Sequence, residues 1–209
     1  MVKPEKTLPN LSIMGRESAR WKATARRFGG LANRRQIEPV VAHRAGFADE
    51  VLFAVSENLR LGLPTVLVAQ SQDGRVLAAM VYIITPPGSI AGGEGHIHLL
   101  AVDPENLTGS PGTKQVRGLG TAMVAAASRI FLKVGAGQVN IHPLDQQAAI
   151  FWSGRGFVGC GAGGLMCVRG RAAIEGLING CVVNPDRGDY ILCGLPAQVE
   201  RMRVPAGVR

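Results

Sequence analysis

At 209 residues, 46% of them hydrophobic, the chain is long enough for one sizeable core and short for two. Its longest apolar run, Val76 to Ile84, falls far below the roughly 18 residues of a membrane span, and no apolar stretch follows the N-terminal lysines. The expectation is therefore a cytoplasmic protein with no membrane segment and no secretory signal. The formal charge of +8 is local: residues 1 to 44 hold ten Lys or Arg against three acids, whereas the remaining 165 hold thirteen against twelve.

Residues 1–35 read as a basic arm. Arg16, Arg20, Lys22, Arg26, Arg27, Arg34 and Arg35 stand among Ser, Ala and Gly, with Trp21 and Phe28 as the main large apolar groups. Such a segment is a solvated or partly helical extension, a polyanion-binding arm whose cations replace counterions on phosphates, or an address segment; composition does not choose among these. A folded domain is expected over residues 36–197, followed by a tail at 198–209. Within the domain, Gln36 to Ala42 suggests a first strand, and Phe47 to Leu61 a helix with Val51, Leu52, Val55 and Leu59 on one face and Gly62 as its stop. Pro64 to Gln70 and Arg75 to Thr85 are apolar strands joined by Ser71-Gln72-Asp73-Gly74, a hairpin pattern. After an open loop from Pro86 to Gly93, His96 to Val102 is a further strand, followed by a Gly-, Pro- and Ser-rich stretch at Asn106 to Lys114.

The Ala-rich segment Leu119 to Lys133 is the clearest helix, with Gly135 as its C-cap. Gln138 to His142 is a strand closed by Pro143, and Asp145 is placed to cap a helix from Gln146 to about Gly154. A glycine-rich strand region (Phe157 to Val168), a helix (Arg171 to Ile178) and a last strand (Tyr190 to Leu195) complete the order. This is an α/β layered fold with mixed strand directions. Four cysteines, Cys160, Cys167, Cys181 and Cys193, occur singly with no C-x-x-C pair, so reduced thiols and no metal site are expected.

The most informative element is a strand followed by Gln115-Val116-Arg117-Gly118-Leu119-Gly120 and an immediate helix. Amides at a helix start lack intrahelical partners and lie at the positive end of its dipole, so they bind anions. Glycines let that backbone approach phosphate oxygens without a Cβ in the way. A dinucleotide-binding loop would follow the first strand of a parallel unit and be answered by an acid some 20 residues on. Here the loop comes after the fourth expected strand, and the next strand ends in His142-Pro143.

Three segments, His96-Ile-His-Leu-Leu-Ala-Val-Asp-Pro104, Gln115 to Gly120, and Asp145-Gln-Gln-Ala-Ala-Ile-Phe-Trp-Ser-Gly-Arg-Gly-Phe157, together resemble the GNAT superfamily of N-acetyltransferases. The resemblance covers residues 96 to 157 in motif and about 36 to 195 in element order. It implies a mixed central β-sheet of about seven strands flanked by helices, with acetyl-CoA as cosubstrate in a cleft where two strands splay. The backbone at Leu100, Ala101 and Val102 would hold the pantetheine arm, and Gln115, Val116, Arg117, Gly118, Leu119, Gly120 and Thr121 the diphosphate. The amide of Leu100 or its neighbour would polarise the thioester carbonyl. Asp145 stands where the family has an asparagine and Trp152 where many members have a tyrosine that protonates the departing thiolate. Indole cannot lend that proton, which leaves water, Tyr82 or Tyr190 as the source.

Direct attack by an amine needs a base beside the thioester. Strand alternation puts Glu94, His96 and His98 on one face with Leu100 and Val102. His96 falls, by register, where many relatives place a catalytic glutamate, and an imidazole titrates near neutral pH; His98 and Glu94 are the other candidates. His142 reads as a strand-end residue, and Cys160 and Cys167 as core. The activity implied is N-acetylation of a primary amine, in a small molecule, a protein or an aminoacyl-RNA, with acceptor choice set by the helix at 47–61, the loop Pro86 to Gly93 and the region of the last two strands. Alternatives are an acyl-CoA-binding protein with weak turnover, and a nucleic-acid-associated protein using the basic arm; a homodimer fits either.

Overall fold

The computed structural model describes residues 11–63, 65–71, 73–85, 93–107, 109–111, 116–180 and 191–194. Two helices come first, α1 (Leu11–Asn33) and α2 (Pro39–Arg60). Strands β1 (Val66–Gln70), β2 (Val76–Thr85) and β3 (Glu94–Val102) follow, then the 3-10 turn η1 (Pro104–Asn106) and helix α3 (Leu119–Lys133). The remainder is strand β4 (Gln138–Ile141), helix α4 (Gln146–Ser153), strand β5 (Val158–Gly159), turn η2 (Ala162–Gly164), strand β6 (Met166–Arg169), helix α5 (Arg171–Asn179) and strand β7 (Ile191–Gly194).

All seven strands belong to one sheet, in the order β5-β6-β4-β3-β2-β1-β7. β3 and β4 are parallel, whereas β1 pairs antiparallel with β2 and β7, and β6 with β4 and β5. The fold is thus a mixed, seven-stranded α/β sheet with helices, the class expected from the sequence. The hairpin forms through Gly74, whose φ of 86° is open to glycine at little cost. Asp145 caps α4 by accepting the Ala148 N–H at 2.7 Å, and Gly135 leaves α3 at φ 79°.

The N-terminal third departs from expectation. Gln36 to Ala42 is not a strand: Glu38 is extended and Pro39 opens α2 at its first helical position, where a missing N–H costs nothing. The β-branched pair Val40-Val41 is overridden by a buried stripe, Val41, Ala45, Ala48, Leu52 and Val55, at helical spacing. Nor do residues 11–33 extend away from the domain. They form α1, which packs on α2 and buries Met14, Trp21 and Phe28, spaced by seven, with Glu17 and Thr24 on the same stripe.

The chain divides into two compact units. One holds the described residues of 11–81 and 99–123 together with β7. Its core joins Met14 and Trp21 to Val51, Leu52 and Val55 of α2, Val66 and Val68 of β1, Val76 and Ala79 of β2, and Ala101 of β3. The other holds those of 82–98 and 124–180. There Phe131 meets Tyr82 edge-on at 5.8 Å, and Trp152 meets Phe157 at 5.2 Å. Phe131 lies so close over Gly95 that a Cβ at that position would run into the ring. Among the described residues no helix is long and apolar enough to cross a membrane.

Candidate functional site

The glycine turn forms the wall of a cavity. Gly118 holds a φ of 81°, and its carbonyl accepts the Ala122 N–H at 2.9 Å, so it is the residue from which α3 begins. Leu119 and Gly120 therefore present helix-start amides that have no partner inside the helix. Val116, Arg117, Gly118, Leu119 and Gly120, with Val102 from the end of β3 and Asn106 from η1, line a cavity of about 390 Å³. That volume lies within the range of small-molecule sites, roughly 300–1,000 Å³. Among the described residues the lining holds one cation, Arg117, and no acid. A side chain at Gly118 would meet open space, so it is the positive φ and not crowding that calls for glycine. Gln115 lies outside the described residues.

Asn106 was not singled out by its sequence position, which marks only the start of an inserted stretch. Its Oδ1 accepts the Val116 N–H at 3.0 Å, tying the glycine turn to η1 across that insertion. Asn106 is itself set by its own N–H donating to the Asp103 carbonyl at 2.7 Å. Asp103 caps η1 by accepting the Glu105 N–H at 3.1 Å, and its fully buried carboxylate meets Arg20 of α1 at 2.8 Å and Arg75 at 3.2 Å. Glu105 is paired with Arg75 at 2.9 Å and Arg27 at 3.5 Å. Burial works against a charged Arg20, yet its bonds to Asp103 and Glu17 hold its pKa above the ordinary value. The two carboxylates nearest the cavity in sequence are thus matched by arginines.

β3 carries the other candidates. Its registered pairing with β4 runs from Glu94 opposite Gln138 to Ile97 opposite Ile141, where β4 stops. No β4 residue stands opposite β3 from His98 to Val102. On this strand Gly95, Ile97 and Ala101 are buried, whereas Glu94, His96, Leu100 and Val102 are half-buried and His98 is exposed, the alternation expected. His96 Nε2 lies 3.0 Å from Glu94 Oε2. Asn140 of β4, fully buried, donates its Nδ2 to the same carboxylate oxygen at 2.9 Å. Gln138 Nε2 donates to Asn140 Oδ1 at 2.6 Å, and Arg169 Nε of β6 donates to Gln138 Oε1 at 2.9 Å. The structure therefore joins Glu94 to His96 and leaves His98 outside this network. Asn140, Gln138 and Arg169 were not anticipated.

Thr121 follows the turn in the first turn of α3, half-buried. Asp145 is occupied by its cap. Trp152 is buried in an aromatic cluster between Phe151 and Phe157, a packing role. Tyr82, one of two tyrosines considered as proton donors, is fully buried, and burial pushes its hydroxyl up to about 12, so it is a core phenol and no acid for a departing thiolate. Tyr190 lies outside the described residues. His142 is exposed at the end of β4. Cys167 is buried, and burial together with the Cys167 thiol raises Cys160 to about 11, which keeps it protonated and a poor nucleophile. Among the described residues no three His, Cys, Asp or Glu side chains gather as metal ligands.

No family model and no curated protein matches the chain. Among solved structures it is similar to a variant of the AtaT toxin bound to the C-terminus of the antitoxin AtaR, with 18% identity over 61% of this chain and 80% of that one and a TM-score of 0.46. It is similar to AtaTR bound with AcCoA at 18% identity, 61% and 80% coverage and a TM-score of 0.45. It is also similar to the KacTA–DNA complex at 20% identity, 64% and 82% coverage and a TM-score of 0.43. These likenesses are loose, and the site stands on the chain's own strand, glycine turn and helix.

Proposed function

We propose that the chain is an acetyl-CoA-dependent N-acetyltransferase that moves the acetyl group to a primary amine by direct attack. The observation that carries the reading is the cavity around Gly118: helix-start amides, among the described lining residues one cation and no acid, and a backbone conformation that favours glycine. In this reading the turn from Val116 to Thr121, preceded by Gln115, takes the diphosphate. The edge of β3 from Leu100 to Val102, beyond the end of β4, takes the amides of the pantetheine arm as a further strand would. His96 accepts the proton that the attacking nitrogen loses, and Glu94 steadies the imidazolium that results. The C–S bond breaks as the amide bond forms. The thiolate takes its proton from water or Tyr190, since neither Trp152 nor the buried Tyr82 offers one.

Two measurements test this. Calorimetry with coenzyme A should show binding that is lost when Gly118 and Gly120 are both replaced by valine; no binding by the wild type would end the proposal. Thiol release from acetyl-CoA over a panel of small amines, peptides and aminoacyl-RNA should then identify the acceptor. Coenzyme A binding with no turnover on any of them would favour the acyl-CoA-binding alternative.

A second reading has one observation behind it. Arg16, Lys22, Arg26, Arg27, Arg34 and Arg35 are all exposed on α1 and just beyond it, around Gly15, Ala19, Ala23 and Gly30. A flat cationic face of this kind suits a phosphate backbone. Replacing Arg16, Lys22 and Arg26 together by glutamine should abolish salt-sensitive retention of RNA or DNA; unchanged retention would remove the reading. These three leave the ion pairs of Arg20 and Arg27 in place.

A further inference from the structure

The side chains on one face of β3, β4 and β6 form a hydrogen-bonded series with a fixed direction, and we infer that its acidic end, Glu94, sets the proton on His96 against the donor that the series turns toward the ring. Arg169 has only donors, so the oxygen of Gln138 must face it at 2.9 Å. The Gln138 amide nitrogen then points the other way and donates to Asn140 Oδ1 at 2.6 Å. That turns the Asn140 nitrogen toward Glu94 Oε2, 2.9 Å away. A carboxylate only accepts, and His96 Nε2 lies 3.0 Å from the same oxygen.

His96 Nε2 also lies 3.3 Å from the Asn140 nitrogen, so two assignments compete. As an acceptor from Asn140, Nε2 would set its lone pair against the carboxylate. As an N–H it makes a charge-assisted bond to Glu94, about twice as strong as a neutral one. The second wins by roughly 1.4 kcal/mol, a tenfold preference. His96 is therefore an Nε2–H imidazole, and Nδ1 is the nitrogen that accepts a proton. Glu94 is the positioning residue, and Arg169 and Gln138 fix the Asn140 amide with its nitrogen toward Glu94 and the ring. Arg169 matters because it makes one orientation of two otherwise reversible amides the favoured one. Phe131 over Gly95 holds the strand between Glu94 and His96 from its opposite face.

The consequence for catalysis rests on the reading of His96 as the base; the position of the proton does not. The test is long-range ¹H–¹⁵N correlation on protein labelled in its imidazoles, at a pH where they are neutral, with His96 assigned by its loss in His96→Gln. Wild type should show Nε2–H over Nδ1–H by at least about tenfold. Glu94→Leu leaves the Asn140 donor facing Nε2 and should turn the preference to Nδ1–H, whereas Asn140→Ala removes that competing donor and should raise the Nε2–H preference further. In the acetyl-transfer assay, Glu94→Leu should lower kcat with KM for acetyl-CoA unchanged, and Glu94→Asp, which restores an acceptor, should recover part of the loss. An Nδ1–H form in the wild type overturns the inference, as does a tautomer ratio unmoved in Glu94→Leu. A protein that shows the expected tautomer yet acetylates nothing would defeat the proposed activity and leave this inference standing.

Discussion

The cavity at Gly118 and the network at His96 are built from different materials. Around Gly118 the groups offered to a ligand are backbone amides, and side chains such as Asn106 and Asp103 serve only to hold the backbone in place. Around His96 the groups on offer are side chains, each oriented by the next, and the backbone supplies only the register. A backbone amide can be misdirected, and is removed only by proline, whereas a side chain can be removed outright. Damage to the first region should therefore read out in affinity and stability, and damage to the second in rate.

The largest effect is expected from His96→Ala. Loss of a positioned base typically costs about 10²- to 10⁴-fold, so kcat in a thiol-release assay should fall by that order while the calorimetric affinity for coenzyme A stays as it was. A matched loss of affinity would dissolve the distinction between the two regions.

Next comes Asp103→Ala. The fully buried carboxylate is met by Arg20 and Arg75, and its removal leaves these half-buried guanidinium groups to Glu17 and Glu105 while η1 loses its cap. Breaking a buried pair from one side costs about 3–5 kcal/mol, and the partial exposure of both arginines points to the low end. Urea denaturation should show a loss of about 3 kcal/mol; a loss under 1 kcal/mol would mean that α1 is not held to η1 by these charges.

Gly118→Val is a sharper probe of the turn. A β-branched residue at a φ of 81° is strained by about 1–3 kcal/mol, enough to swing the turn away from its ligand-binding shape. Coenzyme A affinity should drop roughly 10- to 100-fold. KM for acetyl-CoA should rise with it and kcat should change little, the signature of binding lost equally from ground and transition states.

How much of this could be read from the sequence depended on whether the signal was local. The Leu119–Lys133 helix, the hairpin through Gly74 and the Asp145 cap each lie within a few neighbouring residues, and each formed where expected. The glycine turn was legible for the same reason. The Glu94–His96 pair followed from alternation along one strand. Asn140 could not be found so, because it meets Glu94 across a parallel pair whose strands are separated by α3 and its glycine turn. Arg169 enters one strand further still. The errors at the N-terminus have another cause. Met14, Trp21 and Phe28 keep a helical period, but the glycines and arginines between them make the composition look like an extension. Val40-Val41 favours a strand locally, and Pro39 ahead of a longer helical stripe decides otherwise.

The smallest effect is the most discriminating, because Asn106 tests whether the cavity holds an anion or only a shape. Asn106→Ala removes the acceptor for the Val116 N–H, a single hydrogen bond worth about 0.5–1.5 kcal/mol, so coenzyme A should bind a few-fold more weakly. Asn106→Asp keeps an acceptor at the same place, and if geometry were all that mattered it would bind like the wild type. It also sets a carboxylate in a lining whose charge, among the described residues, is that of Arg117. Against a diphosphate that charge outweighs the retained hydrogen bond, so affinity should fall in the order Asn, Ala, Asp. Raising the salt from 0.05 to 0.5 M, arbitrary settings on either side of a Debye length of about 8 Å at 0.15 M, should narrow the gap between the last two. An Asp variant that binds as well as the wild type would show that the cavity takes something other than an anion.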